Sequence, residues 1–157
     1  QLWHVSIDGK ANRIGNYESV VDPRLSPNGK LIAFSDSADF VIADTDGKEV
    51  FRRAVRIMVD SGQKSLNAAG ITANDIALVV PHQANIRIIN SACEKLGFPP
   101  EKCVTVLHET GNTSSASIPL ALFDAADKGR LNNGDLVLLV GFGAGMTAAS
   151  CVIRWGK

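Results

Sequence analysis

Apolar side chains at Val50, Phe51, Ala54, Val55, Met58, Leu66 and Ala69 recur at helical spacing, and Gly70 follows where a left-handed cap belongs. The pattern predicts a long amphipathic helix over residues 49–69. Thr72 and Asp75 mark a single turn that leads into the apolar run Ile76 to Val80, a buried strand stopped by Pro81. A second helix is expected over Ala84 to Leu96, with Ile86, Ile89, Ala92, Cys93 and Leu96 on one side and Gly97 as its stop. Val104 to Leu107 reads as a short strand and His108 to Ser115 as a polar loop. Ser117 to Gly129 is a third helix with Pro119 in its first turn. After the Asn133-Gly134 turn, the continuous apolar run Leu136 to Val140 is typical of a strand covered on both faces. The short glycine-rich stretch Gly141 to Gly145 joins it to a final strand, Thr147 to Trp155, as an antiparallel hairpin.

Strands alternating with helices imply right-handed crossovers and an α/β fold: a mixed, mostly parallel sheet with helices packed on it and an antiparallel C-terminal strand. An opening strand before the first helix has two candidates, Leu2 to Ile7 and Phe40 to Ala43. Between them, Leu25-Ser-Pro-Asn-Gly-Lys-Leu-Ile-Ala-Phe34 reads as turn residues followed by an alternating strand, like one hairpin of a β-propeller. A single such unit cannot bury its own face and no second copy appears, which disfavours a propeller.

Composition narrows the class. The chain has 157 residues, 45% apolar and 20% charged; at this size about 70% of the unfolded surface is buried, so a core forms without disulfides or metals. The 16 basic and 16 acidic residues balance, which leaves no global attraction to nucleic acid or anionic membrane. No apolar run is long enough to span a bilayer, and residues 1–10 lack the basic leader and apolar stretch of a signal peptide. Cys93, Cys103 and Cys151 are widely spaced with no CxxC pair, so they form neither a disulfide framework nor a zinc motif; they read as reduced, buried thiols of a cytoplasmic protein.

Two polar clusters stand at equivalent places, each after a predicted strand and at or before a helix: Pro81-His82-Gln83-Ala84-Asn85 and Gly111-Asn112-Thr113-Ser114-Ser115-Ala116-Ser117. In parallel α/β sheets the carboxyl ends of the strands line the ligand crevice, so both clusters and the Gly141 to Gly145 loop converge on one mouth. A structural histidine, an Asn-Gly turn and a helix cap are the plain alternatives for the same residues. A neutral His and an Asn aimed at one point supply two N–H donors, suited to an oxygen that becomes negative during reaction, such as a thioester carbonyl turning into an enolate. No Asp or Glu in the adjacent sequence polarises His82, which favours a donor role over a triad-type base.

Pro81-His82-Gln83-Ala84-Asn85-Ile86-Arg87-Ile88-Ile89 and Gly111-Asn112-Thr113-Ser114-Ser115-Ala116-Ser117-Ile118-Pro119 closely resemble the two signature segments of β-ketoacyl-acyl carrier protein synthase III, the condensing enzyme that starts type II fatty acid synthesis. Asp46-Gly47-Lys48-Glu49-Val50-Phe51-Arg52 is similar to the family's approach to a long helix, and Leu138 to Ala144 with Thr147 to Trp155 is similar to its C-terminal hairpin. The resemblance divides the chain into an irregular or β-rich segment, 1–39, and a synthase III C-terminal domain, 40–157. Residues 1–39 match poorly, although Val5-Ser-Ile-Asp-Gly9 is similar to the strand and turn that open the family's second half.

The resemblance implies a thiolase-like fold of two similar halves, this chain being the second. It assigns His82 and Asn112 to the pair that stabilises the enolate of decarboxylating malonyl-acyl carrier protein. It places Asn85 beside the pantetheine arm, Phe142 in the wall of the site, and Gly143 or Ala144 near the oxyanion-binding loop, with Ala144 standing where some relatives have glycine. The acidic acyl carrier protein would meet Arg52, Gln83, Arg87 and Lys95. No cofactor or metal is implied, only acyl-CoA and malonyl-acyl carrier protein as substrates. The nucleophilic Cys belongs to the family's first half, and none of the three cysteines here lies in its motif. The expected partners are therefore an N-terminal half bearing that Cys, the carrier protein and acyl-CoA, within a homo-oligomer. The alternatives are a non-catalytic fragment that binds carrier protein or pantetheine, and a hybrid of a propeller-like segment with a synthase half.

Overall fold

The computed structural model describes residues 3–5, 11–13, 20–25, 31–36, 39–44, 49–143 and 147–156. The chain forms two compact units, Gln1–Arg53 and Ala54–Lys157. In the first, β1 (Trp3–Val5) pairs antiparallel with β2 (Ala11–Arg13), and β3 (Val20–Leu25), β4 (Leu31–Asp36) and β5 (Asp39–Asp44) form an antiparallel meander. Both candidates for the opening strand are thus strands, but neither joins the α/β sheet. Val5 pairs with Ala11 and Phe40 with Ser35, so each strand takes its partner from its sequence neighbour.

The α/β sheet has the order β6-β7-β8, with β6 (Leu78–Pro81) parallel to β7 (Leu136–Gly143) and β7 antiparallel to β8 (Thr147–Arg154). Alternation along the strands splits the apolar residues between two faces. Leu78, Val80 and Val137 face the helix α4 (Ser117–Asp127), where Ala121 and Ala125 close the core together with Val104 and Val106, flanked by Leu139, Ile153 and Trp155. Leu138, on the opposite face of β7, meets the helix α1 (Glu49–Ala69), and α1 also meets Leu96 at the end of α2 (Ile86–Lys95).

Helix α1 has the expected bounds, and its end shows why: Gly70 takes φ +67°, so that its own N–H reaches the Asn67 carbonyl and the Ile71 N–H reaches Leu66, the paired bonds of a Schellman stop. Its buried stripe runs through Ala54, Val55, Met58 and Leu66 but is interrupted by Ser61, Gly62 and Ser65. These small residues let the helix lie close to the sheet. Ser150 Oγ of β8 gives its single proton to the Ser61 carbonyl at 2.7 Å, and the Ser61 and Ser65 hydroxyls therefore donate to it, at 2.8 and 2.6 Å. A Cβ on Gly62 would lie 3.1 Å from Leu96 Cδ1 and 3.6 Å from Leu138 Cδ2. Gly62→Val is accordingly expected to overpack this junction and lower the unfolding free energy by about 1–3 kcal/mol; an unchanged urea midpoint would refute the close approach.

The predicted strand Val104 to Leu107 is not one. Val104 N donates to the Val79 carbonyl and Cys103 forms a single parallel bridge to Val79, after which the chain turns into the short helix α3 (Leu107–Thr110). The reason lies in Pro81, which has no N–H to offer the Val104 carbonyl at the next rung of a parallel ladder. The Gln83 side chain takes that place: Nε2 donates to Val104 O at 3.2 Å and to Pro81 O at 2.8 Å, while Oε1 accepts from Val106 N at 2.9 Å. Among the described residues no helix is long and apolar enough to cross a membrane.

Candidate functional site

His82 leaves the carboxyl end of β6 with its backbone N–H bonded to Val140 O of β7 at 2.8 Å, which holds the residue against the sheet after the formal pairing ends. Its ring meets Phe142 edge to face, with centroids 5.8 Å apart. Nδ1 lies 2.6 Å from the hydroxyl of Ser117, the first residue of α4, and that serine is fully buried. The two polar clusters that the sequence placed at one mouth are therefore joined directly, the first through His82 and the second through Ser117.

The segment between α3 and α4 is narrowly specified. Gly111 adopts φ +66°, ψ −165°, a region essentially closed to residues with a Cβ. Asn112 Oδ1 accepts from Ser114 N at 3.1 Å, closing a turn that uses the amide oxygen and makes Nδ2 the donor end of the side chain. Ser114 sits at φ +50°, and Thr113 Oγ1 is buried without a hydrogen-bond partner among the described residues. A non-glycine residue held at positive φ and an unsatisfied buried hydroxyl next to the same Asn are costs that a plain connecting turn does not carry.

Asn85 caps α2: its Oδ1 accepts from Arg87 N at 2.9 Å, so one end of the amide is already engaged. Arg87 and Lys95 are exposed on α2, about two helical turns apart. Arg52 is exposed in the first turn of α1. Gly143 is exposed at the end of β7, and Ala144 lies outside the described residues.

One expected contact is overturned. Gln83 is 0% exposed, and both ends of its amide bind backbone, so it cannot reach a carrier protein; it is the clip that fixes residues 104–106 beside β6. The cysteines divide too. Cys93 and Cys103 are buried, whereas Cys151 is exposed, because β8 ends the sheet order and its positions Thr147, Ala149 and Cys151 look outward. A hydrogen bond with the Cys103 thiol, together with burial, pushes the Cys93 thiol far up, so it stays protonated and unreactive. Among the described residues no group of three or more His, Cys, Asp or Glu side chains is arranged to hold a metal ion. Ser117 was missed by reasoning from the sequence, where a serine opening a helix reads as a cap; the signal was its place at the end of the second cluster.

The C-terminal model of the 3-oxoacyl-[acyl-carrier-protein (ACP)] synthase III family matches residues 66–155. Over 112 residues, 71% of this chain and 36% of the relative, the sequence is 51% identical to the β-ketoacyl-[acyl-carrier-protein] synthase III of Listeria innocua. It is 52% identical to that of Symbiobacterium thermophilum, over 71% of this chain and 34% of the relative. The solved β-ketoacyl-[acyl carrier protein] synthase III from Thermus thermophilus matches with TM-score 0.69 and 48% identity, over 89% of this chain and 41% of that one. The 3-oxoacyl-(acyl carrier protein) synthase III from Pseudomonas aeruginosa gives TM-score 0.70 and 39% identity, over 90% and 42%. The chain thus spans about a third of the length of the curated relatives it matches. With its mixed thiolase-like sheet and its His82 and Asn112 segments, it belongs to the 3-oxoacyl-acyl carrier protein synthase III family and corresponds to that family's C-terminal part.

Proposed function

We propose that this chain supplies the decarboxylating half of a β-ketoacyl-acyl carrier protein synthase III site. When a malonyl thioester loses carbon dioxide, the bond to its carboxylate breaks and the electron pair moves onto the thioester oxygen. His82 Nε2–H and Asn112 Nδ2–H donate to that oxygen. The enolate carbon then attacks an acyl-Cys thioester, and collapse of the tetrahedral adduct releases the Cys thiolate and the β-ketoacyl product. The observation that carries this reading is the join between the two clusters: Ser117 ties the Asn112 segment to the His82 ring, at the carboxyl end of a strand parallel to its neighbour.

The acyl-accepting Cys comes from an N-terminal half. Cys93 is buried and protonated, Cys103 is buried, and Cys151 stands outside the family's nucleophile motif. The face of α4 supports such a partner: Phe123 is 68% exposed and Leu120 is also open, an apolar surface unusual for a helix at the heart of its fold. Asn85, its oxygen spent on the cap, has its NH2 for the pantetheine arm; Phe142 and Gly143, at the end of β7, belong to the same mouth, and the family resemblance assigns Ala144 to the oxyanion-binding loop. Arg52, Arg87 and Lys95 face the acidic carrier protein. Acyl-CoA is the primer, and the reaction takes place in the cytoplasm without metal or cofactor.

Complementation tests the reading. The chain, mixed with the N-terminal half of a relative, acetyl-CoA and malonyl-acyl carrier protein, is expected to yield acetoacetyl product that neither half makes alone. Product from this chain alone would overturn the division of labour, and no product from a demonstrably associated pair would overturn the function.

A further inference from the structure

We infer that Ser117 is the positioning residue that fixes His82 as its Nε2–H tautomer. The inference rests on the enolate-stabilising role proposed for His82 and adds the group that makes the ring competent for it. Ser117 is 0% exposed, so its hydroxyl proton needs an acceptor inside the protein. Among the described residues the one partner of Ser117 Oγ is His82 Nδ1, at 2.6 Å.

Two proton arrangements fit that distance. If Nδ1–H donated to Ser117 Oγ, the serine's own proton would be buried with nothing to receive it. If the hydroxyl donates to the Nδ1 lone pair, both groups are satisfied and the ring proton sits on Nε2. The second arrangement avoids a desolvation penalty and governs the bond. The location of Ser117 acts in the same direction, because the first turn of α4 carries the positive end of the helix dipole and favours a lone pair over an N–H at the facing Nδ1.

The consequence is chemical. A neutral imidazole accepts at one nitrogen and donates at the other, and an oxygen that gains negative charge needs the donor. The edge-to-face Phe142 ring and the His82 N–H bond to Val140 fix where the imidazole stands; the Ser117 hydroxyl decides which of its nitrogens carries the proton.

Long-range 15N NMR of the 157-residue chain reads the tautomer without any reaction. A single His82 tautomer, protonated at Nε2, is expected in the unaltered protein, with averaged two-tautomer shifts in Ser117→Ala. Ser117→Thr, which keeps the hydroxyl, is expected to retain the single tautomer. A ring protonated at Nδ1, or unchanged shifts in Ser117→Ala, would overturn the inference. In the malonyl-thioester decarboxylation assay, Ser117→Ala is expected to lower kcat about tenfold with little change in KM, the scale of one hydrogen bond lost in the transition state. The two ideas fail separately: shifts as expected in a chain that never decarboxylates would remove the function and leave the tautomer assignment standing.

Discussion

Alanine at His82 is expected to slow release of carbon dioxide from a malonyl thioester by about 10²–10³-fold, the usual cost of one preorganised donor to a developing oxyanion. Decarboxylation needs no covalent acyl-enzyme, so under the proposed function the step is assigned to the His82 and Asn112 pair and is assayed in the chain without its complementing half. The loss falls mainly on kcat, because the N–H bond strengthens as the thioester oxygen acquires charge. Asn112→Ala is expected to act in the same way, and the double variant to lose much less than the product of the two, since both donors serve one oxygen. Carbon dioxide release retained in a folded His82→Ala chain would show that the ring is structural.

The second large effect concerns stability. Gln83→Ala strips hydrogen bonds from Val104 O, Pro81 O and Val106 N and opens a space beside a fully buried position. Each buried backbone group left unpaired costs about 1–3 kcal/mol, and partial relaxation brings the expected loss to about 3–5 kcal/mol in urea unfolding. Gln83→Glu is expected to recover only part of it, because a carboxylate accepts from Val106 but has no N–H for the two carbonyls. A loss below about 1 kcal/mol, the level of an ordinary surface change, would refute the clip. Because His82 is the adjacent residue, the Ala variant is also expected to lose activity ahead of global unfolding.

What could be read from the sequence follows from where the physics is local. Helix α1 was legible to the residue because its stripe and its Gly70 stop are both written within a few positions. The β7-β8 hairpin was legible because one continuous apolar run and a glycine-rich connection leave few alternatives. Residues 104–107 misled because apolar β-branched residues satisfy a strand pattern, while the side chain that displaces the ladder stands 21 residues away from Val104. Gln83 was misjudged for the same reason: within its own segment it is a polar residue beside a candidate catalytic His, and only the fold shows it facing inward. The placement of β1 and β5 in other sheets is a pairing choice, which strand propensity does not encode. His82 and Asn112 were singled out as candidates from residue type and motif, His82 after a strand that the fold contains and Asn112 after one that it does not; the Ser117 contact, which spans 35 residues, was not visible there.

The three hydroxyls between α1 and β8 act as a registration mark. Apolar helix faces slide against a sheet at little cost, since one methyl is much like the next. Here a shift by one helical turn, about 5.4 Å, would strand Ser61, Ser65 and Ser150 at once, each with a proton or lone pair facing hydrocarbon. Little net affinity comes from such bonds, yet every misaligned docking is penalised, so the seam narrows the ways in which α1 can meet the sheet. Replacing the trio with alanines would therefore be felt less in the depth of the native well than in the number of wells beside it.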